Sequence, residues 1–275
     1  MISFVGAGPG SPDLITLRAA NRLAEAHVVV WASSLVPESV LEHANRSAVI
    51  HDSSTMTLED VIGVYGSNPE PALIVRLHSG DPSIYSSIGE QIDWCKTVGR
   101  AWEIVPGVTS LAAAAAALGR ELTQPGVAQS VVITRLAGRT SESMPLRTVA
   151  GEGPAAFAPH GSTLAVFLSA SRPDELQAEL LSNGSGYDES TPAAVVARVS
   201  WPDEQIYTTT VGKLADTIRS TGLTMTVLVV VGDALGDGPV ARRSHLYSPA
   251  YTTTYRLRSS PGSSVGRPSA KRRGR

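Results

Sequence analysis

"ALIVRLHSGDPSIYSSIGEQ", residues 72–91, opens with an apolar run that stops at Ser79-Gly80-Asp81-Pro82 and continues as a polar segment with helical character. An apolar run of this length, bounded by a turn, reads as a strand buried on both faces. Such strands belong to parallel sheets covered by helices. The turn itself has two readings. Gly80 lets the backbone approach a ligand and Pro82 stiffens the bend, so Asp81 reads as gripping a ligand's polar group. Alternatively, Asp81 caps a helix that starts at Pro82, the position in which proline is tolerated.

The same alternation extends on either side. ISFV (2–5), HVVVW (27–31), ALIVRL (72–77) and WEIV (102–105) read as buried strands, with helices expected near 13–26, 37–45, 57–64 and 85–98. This predicts an α/β fold with a mostly parallel sheet. "LAAAAAALG" (111–119) predicts a helix without side-chain bulk, against which another element packs closely. After "RELTQPG" the pattern restarts. SVVIT (130–134), TLAVFL (163–168), AAVVARV (193–199), QIYTTTV (205–211) and TVLVVVG (226–232) read as strands, with helices near 173–182 and 212–221. The short "SWPDE" turn makes this half more antiparallel. Two α/β domains are therefore expected, 1–120 and 121–255, followed by a tail, 256–275.

Composition limits the function classes. The chain has 275 residues, long enough for two modest domains, and no apolar run reaches the roughly 18–20 residues of a membrane span. The N-terminus lacks the basic flank of a secretory signal. Cys95 is the one cysteine, which excludes an intramolecular disulfide and fits a reducing cytoplasm; its helical context reads as buried packing. The tail holds seven of the 23 basic residues and no acidic one, leaving 16 basic against 25 acidic in the remainder. A Ser/Gly/Pro-rich basic tail reads as disordered, and an acidic body argues against a nucleic-acid-binding core.

"VGAGPG" (5–10) follows the first strand and precedes a helix, where a glycine loop can approach a ligand. Its glycines at 6, 8 and 10, with Pro9 between them, do not match the dinucleotide fingerprint. The second strand ends in "VVVWASS", without the carboxylate that binds ribose hydroxyls. No Gly-Lys-Ser/Thr follows, which excludes a phosphate-binding loop of the Walker type. A tight turn without a ligand remains open on this motif alone.

Taken together, "GAGPGSPDLITLRAA", "RLHSGDPSIY", "VPGVTSLAAAAAALGRELT" and "TPAAVVARVSWPDEQ" resemble the tetrapyrrole (corrin/porphyrin) methylase family, in order and up to about residue 256. Within it, "SSLVPESVLEHA", "HDSSTMTLEDV", "RVSWPDEQI" and "SHLYSPAYTTTYR" resemble the branch that methylates carbon 11 of precorrin-4. The resemblance implies two α/β domains, S-adenosylmethionine in the cleft between them, a tetrapyrrole substrate and a homodimer. It implies cofactor-binding roles for Pro9 in the glycine loop, for Ser79, Gly80 and Asp81 in the turn, and for Ile84 packing nearby. Thr109 and Ser110 match the pair that reaches the methionine part, and Leu168 stands against the adenosine. Val199, Thr226 and Val227 match positions near the adenine. Two places depart from the family pattern: Thr253 and Thr254, where this branch often has a polar residue such as His, and the loop 137–161, which is of a variable kind.

In this chemistry the macrocycle carbon is the nucleophile, so no metal is expected; the six histidines show no metal-ligand spacing. The substrate's acid side chains call for cations. Only three of the basic residues are lysine, and Arg76, Arg135, Arg139 and Arg198 lie at or beyond strand ends. His51, Asp52, His78 and Tyr85 are the candidates for acid/base work, and the sequence does not choose among them.

Overall fold

The computed structural model describes residues 1–136, 152–238 and 243–269. Two five-stranded sheets follow one another along the chain. The first is built from β1 (Ile2–Gly6), β2 (Val28–Trp31), β3 (Val49–Asp52), β4 (Ile74–His78) and β5 (Trp102–Val105), in the order β3-β2-β4-β1-β5. Every pairing in it is parallel. The crossovers include α1 (Leu17–Glu25), α2 (Leu58–Ser67) and α3 (Gly89–Val98). Strand β4 runs between β1 and β2, so its side chains alternate between two covered faces. Val75 and Leu77 join Leu23 and Val40 on one face, while Ile74 meets Val61, Tyr65 and Cys95 on the other.

Local sequence explains where these elements begin and end. The Thr57 hydroxyl accepts from Asp60 N, and the Asp60 carboxylate accepts from Thr57 N at 2.9 Å. That reciprocal box satisfies two otherwise orphan donors at the start of α2. Gly99 closes α3 in the left-handed region, with φ +70°.

The helix α4 (Ser110–Ala117) leaves β5 and crosses to the second half. Its buried Ala113 and Ala114 pack against Ala165, Ala194, Val196, Leu228 and Val230 of the second sheet. The lack of side-chain bulk read in "LAAAAAALG" lets this helix lie close to that sheet. The second sheet contains β6 (Val131–Arg135), β7 (Thr163–Phe167), β8 (Pro192–Ala197), β9 (Gln205–Thr210) and β10 (Val227–Val231), ordered β6-β7-β10-β8-β9. Only β6 and β7 run parallel; β10 is antiparallel to both neighbours and β8 to β9. Helices α5 (Pro154–Phe157), α6 (Pro173–Leu180) and α7 (Leu214–Ser220) accompany it. Residues in the basic tail also pair: β11 (Arg256–Leu257) lies antiparallel to β12 (Arg267–Pro268).

Three local expectations are corrected. The helix expected from residue 82 or 85 starts at Gly89, because Tyr85 and Ser87 adopt φ of +54° and +50°, which a right-handed helix cannot contain. Residues 38–43 form a 3-10 helix rather than an α-helix. The edge strand β3 was not read from the sequence, because "VIHD" is mostly exposed and lacks a buried alternation.

Candidate active site

The loops at the carboxyl ends of β1, β4 and β5 meet backbone to backbone. Ala7 N donates to the His78 carbonyl at 2.8 Å, and Gly80 N donates to the Gly8 carbonyl at 2.8 Å. A Cβ on Gly6 would lie 2.5 Å from the Gly107 Cα and 2.7 Å from the Gly80 oxygen. No side chain fits between these three loops, so glycine at 6 and 107 is a packing requirement.

Asp81 locks the arrangement. One carboxylate oxygen accepts from Ser83 N and the other from Gly107 N, each at 2.8 Å. The helix-cap reading is therefore replaced: Asp81 ties its own turn to the loop after β5. Thr109 then caps α4, its hydroxyl accepting from Ala112 N at 3.3 Å.

The second half closes over this surface through the turn after β8. Trp201 Nε1 donates to the Pro9 carbonyl at 3.0 Å, and Ser11 N donates to the Ser200 hydroxyl at 2.9 Å. The Arg198 guanidinium pairs with Asp203 and lies 5.5 Å from the Trp201 ring centre. Tyr85 makes a second bridge: its ring is 5.5 Å from that of Phe167, with the Arg135 guanidinium 5.4 Å from its centre.

Between the halves lies a cleft of ≈ 420 Å³. All eleven residues named from the family resemblance line it. Pro9 comes from the glycine loop. Ser79, Gly80, Asp81 and Ile84 come from the turn after β4, and Thr109 and Ser110 from the start of α4. Leu168 follows β7, Val199 follows β8, and Thr226 and Val227 stand at the start of β10 in the second half. Other lining residues were not singled out as such, among them Ala32, Leu35, Phe167, Trp201 and Met225. Trp201 offered a signal, since a large ring inside the polar turn "SWPDE" has to cover something. Leu168 and Met225 are 62 % and 61 % exposed, an apolar rim at the mouth.

Backbone strain is concentrated here. Six non-glycine residues among those described have positive φ, and Tyr85, Ser87, Leu168, Arg198 and Thr226 line the cleft. The sixth, Ser200, holds the glycine loop. Left-handed conformations cost roughly 1–3 kcal/mol each outside glycine and persist where the surroundings fix them.

Electrostatics separate the acid/base candidates. His51 and Asp52 do not line the cleft. The Asp52 carboxyl is pulled down to about 2, chiefly by the Ser33 hydroxyl and then by the backbone of Ser54 and Ser33. His78 lines the cleft but is 7 % exposed, and burial followed by the Arg76 charge pushes it down to about 3, so it is neutral at neutral pH. Burial raises the Tyr85 phenol, which keeps its proton. Of the four arginines, Arg76 and Arg198 line the cleft, Arg135 stacks beside it on Tyr85, and Arg139 lies outside the described residues. Among the described residues no group of three His, Cys, Asp or Glu is placed to hold a metal, and no helix is long and apolar enough to cross a membrane.

The family model for Tetrapyrrole (Corrin/Porphyrin) Methylases matches residues 1–215. The cobalt-precorrin-4 C(11)-methyltransferase of Methanocaldococcus jannaschii is 43% identical over 258 residues, covering 93% of this chain and 95% of the relative. The precorrin-4 C(11)-methyltransferase of Rhodococcus erythropolis is 40% identical, with 85% and 91% covered. Among solved structures, a cobalamin biosynthetic enzyme, cobalt precorrin-4 methyltransferase, superposes with a TM-score of 0.79 at 39% identity, covering 86% of this chain and 95% of that one. The uroporphyrin-III C-methyl transferase of Thermus thermophilus, complexed with S-adenyl homocysteine, gives a TM-score of 0.66 at 28% identity over 85% and 98%. With its two-sheet architecture and inter-sheet cleft, the chain belongs to the tetrapyrrole (corrin/porphyrin) methylase family.

Proposed function

We propose that the protein is an S-adenosylmethionine-dependent C-methyltransferase that methylates carbon 11 of precorrin-4, giving precorrin-5 in cobalamin (corrin ring) biosynthesis. The observation that carries this reading is the convergence of eleven residues, drawn from both halves of the chain, on one cleft. The names of the relatives at 43% and 40% identity support the choice of substrate. They include a cobalt-containing and a cobalt-free substrate, so cobalt-precorrin-4 is the second reading. A homodimer in the cytoplasm completes the proposal, supported by the family resemblance; sedimentation of purified protein tests the oligomer.

The cleft fits the cofactor. Its volume lies within the range of small-molecule sites, and at Gly80 its wall is bare backbone, packed against Gly6 and Gly107 behind it. When bound, S-adenosylmethionine supplies a methyl group already activated by its sulfonium charge. The work left to the chain is to hold two reactants in line and exclude water. Such positioning contributes roughly 7–11 kcal/mol in favourable cases. Asp81 holds the loops of β4 and β5 rigid, leaving further lone pairs on its oxygens for a ligand's donors. Trp201 fastens the second half to the glycine loop, and the apolar side chains of Leu168, Phe167 and Met225 limit water at the cleft.

The test is transfer of a labelled methyl group from S-adenosylmethionine to precorrin-4, cobalt-precorrin-4 and uroporphyrinogen III, each with purified protein. Label at carbon 11 of a precorrin-4 macrocycle is expected. Transfer confined to uroporphyrinogen III, or tight binding without transfer, overturns the reading.

A further inference from the structure

Arg76 and His78 lie on one face of β4, two residues apart, and both line the cleft. Arg76 reaches the Ser53 hydroxyl at 2.6 Å and the Val30 carbonyl at 3.4 Å, both through Nη1. Its Nε is buried without a partner, as is Nε2 of His78. No carboxylate among the described residues pairs with Arg76. Arg100, whose side chain is 9% exposed, shows the contrast: its Nε is also without a hydrogen bond, but Glu70 stands 4.0 Å away. A guanidinium cannot shed its charge at neutral pH, and a buried charge without an opposite one is strongly unfavourable. No described residue supplies that anion, and a ligand in the cleft that Arg76 lines can.

We propose that Arg76 and His78 form a carboxylate-binding subsite at the inner end of the cleft, in which Arg76 supplies the charge and His78 Nε2–H a second donor. This assignment rests on the methyltransferase reading, which offers two carboxylate sources: the amino-acid end of S-adenosylmethionine and the acid side chains of the tetrapyrrole. A planar fork suits either, because it can give two parallel hydrogen bonds to one carboxylate. His78 adds a neutral donor, which does not repel the neighbouring cation. Its Nε2 is already stripped of water, so a ligand oxygen satisfies an atom that no other described residue satisfies. Arg198, the other cleft arginine, is occupied by Asp203, and that singles out Arg76.

The test uses the full chain and the variants Arg76→Met, Arg76→Lys and His78→Phe. Calorimetry with S-adenosylhomocysteine and with its decarboxylated analogue reads the cofactor source, and the KM for precorrin-4 reads the substrate source. If the carboxylate is the cofactor's, Arg76→Met weakens S-adenosylhomocysteine at least about 30-fold, the expected loss for a buried charge partner, while the decarboxylated analogue binds the variant and the parent alike. If it is the substrate's, S-adenosylhomocysteine binding is unchanged and the KM rises by about the same factor. His78→Phe moves the same quantity by a smaller factor. Arg76→Met is expected to unfold no earlier than the parent when ligand-free, because an apolar chain of similar length replaces an unpaired charge. Earlier unfolding with both affinities within twofold overturns the proposal and assigns Arg76 to structure. If Arg76→Met does not fold, Arg76→Lys, which keeps the charge and loses the fork, takes its place. Unchanged affinities in both Arg76→Lys and His78→Phe overturn the subsite while methyl transfer by the parent stands. A parent that neither binds S-adenosylhomocysteine nor transfers methyl overturns both readings.

Discussion

The indole Nε1 of Trp201 donates to the carbonyl of Pro9 at 3.0 Å, joining residues 192 positions apart across the two halves of the molecule. Gly10 makes this possible: a Cβ there would lie 2.7 Å from the same nitrogen. The glycine loop and the "SWPDE" turn therefore form one seam.

Trp201→Phe keeps the ring and removes the donor, with an expected stability loss of about 1 kcal/mol. Gly10→Ala displaces the indole itself and is expected to cost about 1–3 kcal/mol. Urea unfolding measures both. The same variants should weaken S-adenosylhomocysteine in calorimetry; affinities within twofold of the parent would show that the seam does not shape the cleft.

Asp81→Asn has one acceptor oxygen where the carboxylate has two, so either Ser83 N or Gly107 N loses its partner. A stability loss of about 1–3 kcal/mol is expected, together with weaker cofactor binding. Asp81→Ala should lose more of both. Unchanged binding in a destabilised Asp81→Ala would confine this residue to holding the loops.

Gly107→Ala and Gly63→Ala are expected to move stability in opposite directions. At Gly107 a Cβ would lie 2.8 Å from the Gly6 Cα, with backbone on every side and nothing that can swing away. Cofactor binding should be lost there. At Gly63, inside α2, nothing lies within 4 Å, so alanine should stabilise by about 0.5–1 kcal/mol through helix propensity. Thermal unfolding of both variants checks the pair, and a stabilising Gly107→Ala would contradict the packing described.

His78 makes stability fall in acid. Its folded value, about 3, lies below the ordinary 6.5, so between these values the unfolded chain binds a proton that the folded chain does not. Stability is full above about pH 6.5 and declines as pH drops toward 3, by up to about 1.4 kcal/mol per unit from this group. Urea midpoints at pH 7, 6, 5 and 4 should fall more steeply for the parent than for His78→Phe. Parallel curves would mean that the ring accepts its proton while folded.

Deleting residues 257–275 is expected to leave turnover within twofold. Among the described residues none beyond Leu228 lines the cleft, and the tail hydrogen bonds described are made within 246–269. Steady-state kinetics of the truncated chain checks this, and a large loss would assign the tail to the site.

The central strands were legible because burial on both faces leaves continuous runs such as "VVVW" and "VLVVV", whose meaning depends on nothing distant; "WEIV" forms a strand but a partly exposed one, not the buried strand expected. Strand β3 was not, since an edge strand needs only one neighbour and carries no such run. The segment 81–88 misled for a related reason: "DPSIYSSIGEQ" has the local features of a helix start, but positive φ at Tyr85 and Ser87 prevents one there. The cleft residues were found through family likeness, not through local pattern. Leu168 and Thr226 are unremarkable in their own segments and line the cleft only because two strand ends meet there.

The buried strands, most of the helices between them, the division into two halves and the glycines at the strand ends were written in the sequence, because each depends on neighbours a few positions away. Tertiary structure alone decided that Asp81 reaches Gly107, that Trp201 closes on Pro9, and that Arg76 and His78 line the cleft with Nε and Nε2 buried and unpartnered. Those facts depend on which distant groups fill the space around a side chain, and local spacing contains no record of that.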